Sequence, residues 1–241
     1  MQPNQMSLVD HLGEIRKRLI WILLAMAVAM IAGFIVAKPI LRYFKSVEPA
    51  SGIEWNAFTP WDGLRVYMQA AFLLSFVVTG PLTLYHLWAF AKPGLDVPEQ
   101  KAALRYIPYS AALFAIGLSF SYFIVFPLTF KFTSSFNESL ELKDVYGITQ
   151  YFSFMFNILL PISLLFEMPL IIMFLTRLRL LNPALLKKTR RYAYMAQLLI
   201  STLITPPDVI SVLIVAIPLI VLYEISVVLS GYVHSKQAKN D

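Results

Sequence analysis

Few residues in this 241-residue chain are of a type that does chemistry, and they are easily found. Glu167 stands alone as an acid inside the apolar run from Tyr151 to Leu175, between Pro161 and Pro169. It lies ten residues before Arg177, about 15 Å along a helix, which is near mid-bilayer if that run crosses a membrane. An acid at that depth costs on the order of 3 kcal/mol on insertion scales, so its side chain should face protein or water. A neutral Glu167 both donates and accepts a hydrogen bond. That suits gripping a polar group on a partner helix, or carrying a proton. The plainer alternative is a bond to a Ser or Thr on a neighbouring span.

Two further carboxylates, Glu14 and Glu99, lie in a cation-rich setting. In HLGEIRKRL, Glu14 is four residues before Arg18, the spacing of a helical ion pair. In DVPE, Asp96 and Glu99 have the spacing of a helix-capping pair. Together the two carboxylates also make a receptor for a dicationic ligand, and arginine gains most because its planar guanidinium pairs bidentately. Glu224 sits near the end of the last apolar run, where snorkelling or ion pairing is the expectation. The remaining chemistry is thin. There are no cysteines, and His11, His86 and His234 are too scattered for a zinc site. No nucleotide-binding glycine pattern occurs among the nine glycines. Gly117-Leu118-Ser119-Phe120-Ser121 with His86 is the only serine-and-base candidate, and the glycine-rich surround of a nucleophile elbow is missing.

The elements that must position these residues are membrane helices. The chain is 58% hydrophobic and 14% charged, with a mean hydropathy of +0.67, against about a quarter charged in soluble proteins. Apolar blocks of span length predict six transmembrane helices at 19–37, 66–90, 106–128, 151–175, 192–204 and 209–230, in a single integral membrane domain covering 1–241. The N-terminal segment does not read as a cleavable signal peptide. The fifth span has 13 residues, about 20 Å of helix, so it must thin the bilayer, lean on neighbours or leave a water-accessible dent. Alternate loops divide the basic residues fourteen to six, which predicts both termini on the cytoplasmic side. The net charge of +6 is thus an orientation signal and no argument for nucleic acid. Residues 38–63 and 129–150 mix apolar and charged residues and are expected to form a small cap on the outer face. No internal repeat is visible, which weakens an inverted-repeat transporter.

The blocks HLGEIRKRL, FTPWDGLRV, GPLTLYHLWAFAKPGLDVPEQK, LLFEMP and TPPDVISVLIVAIPLIVLYEISV together resemble the TatC family, the polytopic core of the twin-arginine protein translocase. They come in the family's order and cover nearly the whole chain. The resemblance implies a cup-like bundle of six spans and a receptor and assembly platform for protein export, with no catalysis of its own, no cofactor and no metal. It implies a cytoplasmic-membrane location, energy from the proton-motive force, and recognition of folded cargo through twin-arginine signal peptides. The positions matching the family's recognition site are Glu14 and Glu99, with Leu12, Arg18, Pro81, Phe90 and Leu95. Glu167 matches the family's mid-membrane acid, placed to receive the helix of a TatA- or TatB-type single-span subunit. Pro39, and Pro206 through Asp208, match outer-face positions tied to assembly or transport. Self-association and contact with membrane lipid are also implied. Val212 stands where some relatives carry a polar residue, so no polar partner contact is expected there. The competing reading is a proton-coupled secondary transporter using Glu167, and the poverty of polar residues on the other spans argues against it.

Overall fold

The computed structural model describes residues 8–91, 106–205 and 208–237, and side chains over 13–90, 108–205 and 208–237. Its regular secondary structure among these residues is all helical, joined by turns, with an isolated bridge pairing Asn56 with Gly147. Helix α1 runs Leu8–Ser46 and α2 runs Asp62–Ala91. Helix α3, Tyr106–Phe120, passes through a π-helical turn at Ser121–Val125 into α4, Phe126–Ser139. Helix α5, Ile148–Leu165, is followed after a two-residue break by α6, Met168–Arg177. The short α7, Pro183–Lys188, leads to α8, Arg190–Ile204, and α9, Val209–Gln237, closes the chain.

Five stretches are long and apolar enough to cross a membrane: 13–46, 62–90, 108–139, 148–177 and 209–237. The protein is therefore an integral membrane protein. The expected fifth span forms as α8, whose 15 residues rise about 22 Å, short of a core of about 30 Å. By connectivity, the N-terminus and the segment between α6 and α8 lie at one end of the bundle, here termed proximal. The turns after α1, α4 and α8 lie at the other, distal end.

Several helices run further than hydropathy predicts, two of them by the widest margins. Helix α1 continues through Lys38, Pro39 and Arg42 to Ser46, and the rod of α3 and α4 continues to Ser139. Charged residues end an apolar run without ending a helix, because lysine and arginine are good helix formers. Much of the two segments expected to form a cap is thus a continuous extension of the spans. The turns beyond them do meet. The Asn56 N–H donates to the Tyr146 carbonyl at 3.3 Å, and the Ile148 N–H donates to the Asn56 carbonyl at 2.8 Å. Trp55 stacks on Phe152 and meets Tyr151 edge-on, with Lys45 over its indole.

Small residues set the closest helix approaches, as expected where lipid gives no hydrophobic drive between helices. At Gly33 any Cβ would lie 2.7 Å from the Ala71 carbonyl oxygen, so α1 and α2 touch backbone to backbone. At Gly117 a Cβ would lie 2.9 Å from Ser163 Cα and from Phe166 Cβ, which does the same for α3 and α5. Helix α5 forms the centre of the bundle, with Phe152, Met155, Ile158 and Ile162 buried against Val125, Phe126 and Leu219. A smaller cluster of Ile172, Leu186, Tyr223 and Val227 packs the proximal end. There the Tyr223 hydroxyl donates to the Leu186 carbonyl at 2.8 Å.

Candidate functional site

The proximal ends of α1 and α2 bring three of the expected recognition residues together. Arg18 Nε donates to Glu14 Oε1 at 3.1 Å, and its Nη2 also reaches that oxygen. The same Nη2 donates to the Ala89 carbonyl at 3.0 Å, one residue before Phe90. Arg18 therefore clamps the first turns of α1 to the last turn of α2. Glu14 and Arg18 remain partly open to solvent, with 23% and 24% of their side chains exposed. This is the helical ion pair that the spacing allowed, and both of its bonds fall on Glu14 Oε1. Phe90, the residue after Ala89, is half-buried. Leu12 lies on the preceding turn of α1, its side chain outside the described residues. Pro81 is not in this group. It lies nine residues before Phe90, about 14 Å away along α2, where it deprives the Val77 carbonyl of its helical donor. Leu95 and Glu99 lie outside the described residues.

Glu167 sits at the break between α5 and α6, and only 6% of it is exposed. Ser110 Oγ on α3 donates to its Oε1 at 2.8 Å. Its Oε2 is buried with no hydrogen-bond partner among the described residues. The plainer alternative is therefore half fulfilled, since a neighbouring serine satisfies one oxygen and the other remains available. No second titratable side chain is bonded to Glu167 among the described residues, so nothing here builds a proton relay. Two turns into α8, Gln197 is also buried, donating to the Leu219 carbonyl at 3.0 Å and lying 3.9 Å from the Met168 sulfur. Its Oε1 too has no partner. Sequence reasoning passed over Ser110 and Gln197, although each is a polar residue inside an apolar run.

At the distal end, Pro39 is an exposed position within α1. Asp208 caps α9, its Oδ1 accepting from the Ser211 N–H at 2.7 Å. Pro206 lies outside the described residues. A second carboxylate knot holds the cap: Asp144 accepts from the Ser134 and Tyr146 hydroxyls and from Asn137 Nδ2. The Ser134 hydroxyl, then that of Tyr146, holds the Asp144 carboxyl below the usual carboxylate range. Glu224, mid-way along α9, is ion-paired with Arg190 at 2.7 Å and bonded by the Tyr194 hydroxyl, the ion pairing expected of an acid toward the end of the last apolar run.

The serine-and-base candidate does not assemble. Ser119 and Ser121 give their hydroxyls to the Ala115 and Gly117 carbonyls of their own helix. His86 Nδ1 is buried without a partner among the described residues.

The family described as Sec-independent protein translocase protein (TatC) matches residues 10–218. The chain belongs to the TatC family. It is 47% identical over 240 residues to the Sec-independent protein translocase protein TatCy of Bacillus subtilis strain 168, covering 100% of this chain and 94% of that protein. It is 42% identical to the TatC of Halalkalibacterium halodurans, covering 99% and 94%. Two crystal structures of the twin-arginine translocase receptor TatC superpose on it with TM-scores of 0.79 and 0.82, at 29% and 30% identity. Each covers 91% of this chain, which spans 97% and 99% of the solved ones. TatC proteins are components of a translocase and not enzymes.

Proposed function

We propose that this chain is the signal-peptide receptor and assembly platform of a twin-arginine translocase, which exports folded proteins across the cytoplasmic membrane using the proton-motive force. The observation that carries the reading is the chain-length match to proteins named Sec-independent protein translocase TatC. The proximal site supports it. A dicationic peptide needs carboxylates on an accessible face, and the partly exposed Glu14 on α1 meets that need. Glu99 is the second carboxylate of the reading, with Leu12, Arg18, Phe90, Leu95 and Pro81 in the matched blocks.

In this reading all six spans cross the membrane, α8 included, with both termini cytoplasmic and the basic proximal loops on the inner side. The partners are TatA- and TatB-type single-span subunits, further copies of this chain, and membrane lipid. Glu167 offers its unpaired oxygen to a partner helix, while Pro39, Pro206 and Asp208 act in assembly on the outer face.

The test is the affinity of the detergent-purified protein for a signal peptide carrying Arg-Arg, compared with Lys-Lys. Glu99→Ala and Glu14→Ala are measured alongside. A preference for Arg-Arg that shrinks in both variants is expected. Equal, weak binding of the two peptides would overturn the receptor reading for the isolated subunit.

A further inference from the structure

Asn157 lies nine residues into α5, about 14 Å from its distal end and well inside a hydrocarbon core of about 30 Å. Its side chain is exposed and makes no hydrogen bond to any described residue. Four residues on, Pro161 has no N–H to return to the Asn157 carbonyl, so that carbonyl also lacks its helical donor. Both groups face a depth at which lipid offers nothing to bond with. Unsatisfied polar groups in hydrocarbon cost several kcal/mol each, and irregular backbone is tolerated there only against protein or water.

A groove of about 540 Å³ opens at this point, walled by Phe154, Asn157 and Pro161 of α5 and by Leu203, Ile204 and Thr205 at the distal end of α8. It is too small for a helix about 10–12 Å across running its length. It has room for on the order of 10 or more waters at about 30 Å³ each. Leu203, Ile204 and Thr205 are where the short α8 ends, so α8 supplies no helical wall beyond them toward the distal surface.

We propose that this groove is a water-filled notch, open to the distal face, that carries solvent into the membrane as far as Asn157. Water bonds the carboxamide and the released carbonyl, and hydrocarbon is displaced on this flank of α5. The inference does not depend on which peptide or subunit the protein binds.

The chain contains no cysteine, so a single introduced thiol reports alone. Asn157→Cys and Leu203→Cys are placed on the two walls, with Ile116→Cys on α3 as a lipid-facing control and Lys143→Cys in a distal turn to mark the side. Each variant is reconstituted in oriented vesicles and treated with a membrane-impermeant methanethiosulfonate. The expected result is modification of Asn157→Cys and Leu203→Cys at least tenfold faster than Ile116→Cys, from the side that labels Lys143→Cys. If Asn157→Cys does not fold, Leu203→Cys carries the measurement. Rates no faster than the control overturn the notch, with spin-label relaxation by oxygen then assigning the groove to lipid and its absence assigning it to protein. Labelling only from the opposite side overturns it as well.

Discussion

Ser110 and Glu167, 57 residues apart in sequence, are joined by a 2.8 Å hydrogen bond inside the membrane-spanning bundle. The bond ties α3 to the break between α5 and α6, and it leaves one carboxyl oxygen unclaimed. An acid that is anchored at one oxygen and open at the other is held in place for a second contact.

Removing the anchor should cost stability. Ser110→Ala leaves Glu167 buried with neither oxygen paired, and a buried polar group without its partner costs about 1–3 kcal/mol. Glu167→Gln keeps an acceptor for Ser110 and should lose much less. Thermal unfolding in detergent measures both, and equal losses would show that the hydroxyl is not the anchor.

The unclaimed oxygen should matter for assembly. Glu167→Ala is expected to bind a twin-arginine peptide as well as the parent protein but to capture less of a single-span partner subunit, read by co-purification. Normal co-purification and normal export would remove Glu167 from the docking role.

The arginine clamp at the proximal end predicts a split between two substitutions. Arg18→Lys keeps one charge against Glu14 but cannot hold the carboxylate and the Ala89 carbonyl together. It should loosen α1 from α2 there, seen as faster amide exchange in the last turn of α2. Glu14→Gln should leave the bond to Ala89 intact and slow any such change. Equal exchange in the two variants would show that the bridge to Ala89 contributes nothing.

The distal cap should weaken in acid. Asp144 titrates lower in the folded protein than in the unfolded chain. Its contribution is therefore present above the unfolded carboxyl value, about 4, and is lost as pH falls through the folded value. Asp144→Asn should be less stable than the parent at neutral pH, and the gap should close as pH falls through the lowered folded value. A gap that persists unchanged into acid would mean that the carboxylate charge is not what the hydroxyls hold.

Losing the cap of α9 should be a modest local effect. Asp208→Ala removes the acceptor of the Ser211 N–H, and the expected cost is about 1 kcal/mol. A far larger loss of export than of stability would separate a role in transport from the capping role.

The five long apolar helices, their order and the buried acid Glu167 are legible in the sequence because insertion into lipid forces long apolar runs and makes one carboxyl conspicuous. The ends of α1 and α4 are not. Lys38, Arg42 and Lys131 mark where the hydrocarbon stops, whereas helix formation continues through them. Glu14 with Arg18 is legible from spacing alone, but the reach of Arg18 to Ala89 is not, since 71 residues and a helix turn separate them. Asn157 escaped notice because one amide hardly lowers the hydropathy of its run. Its meaning emerges only beside Pro161 and the truncated α8.

The π-helical turn at Ser121–Val125 has a consequence for the length of its span. Below it, Ser110, Phe114, Gly117 and Ser121 lie on the face buried against α5. Above it, Phe126 and Thr129 take over, and the Phe126 N–H donates five residues back to Ser121. One surplus residue is stored there. Loss of a single residue within Ser121–Val125 would convert the turn to ordinary α-helix and leave both halves facing α5. The same deletion elsewhere in the rod would rotate everything beyond it by about 100°. The span thus has one place where its length can change by a residue without altering which side it presents to the rest of the protein.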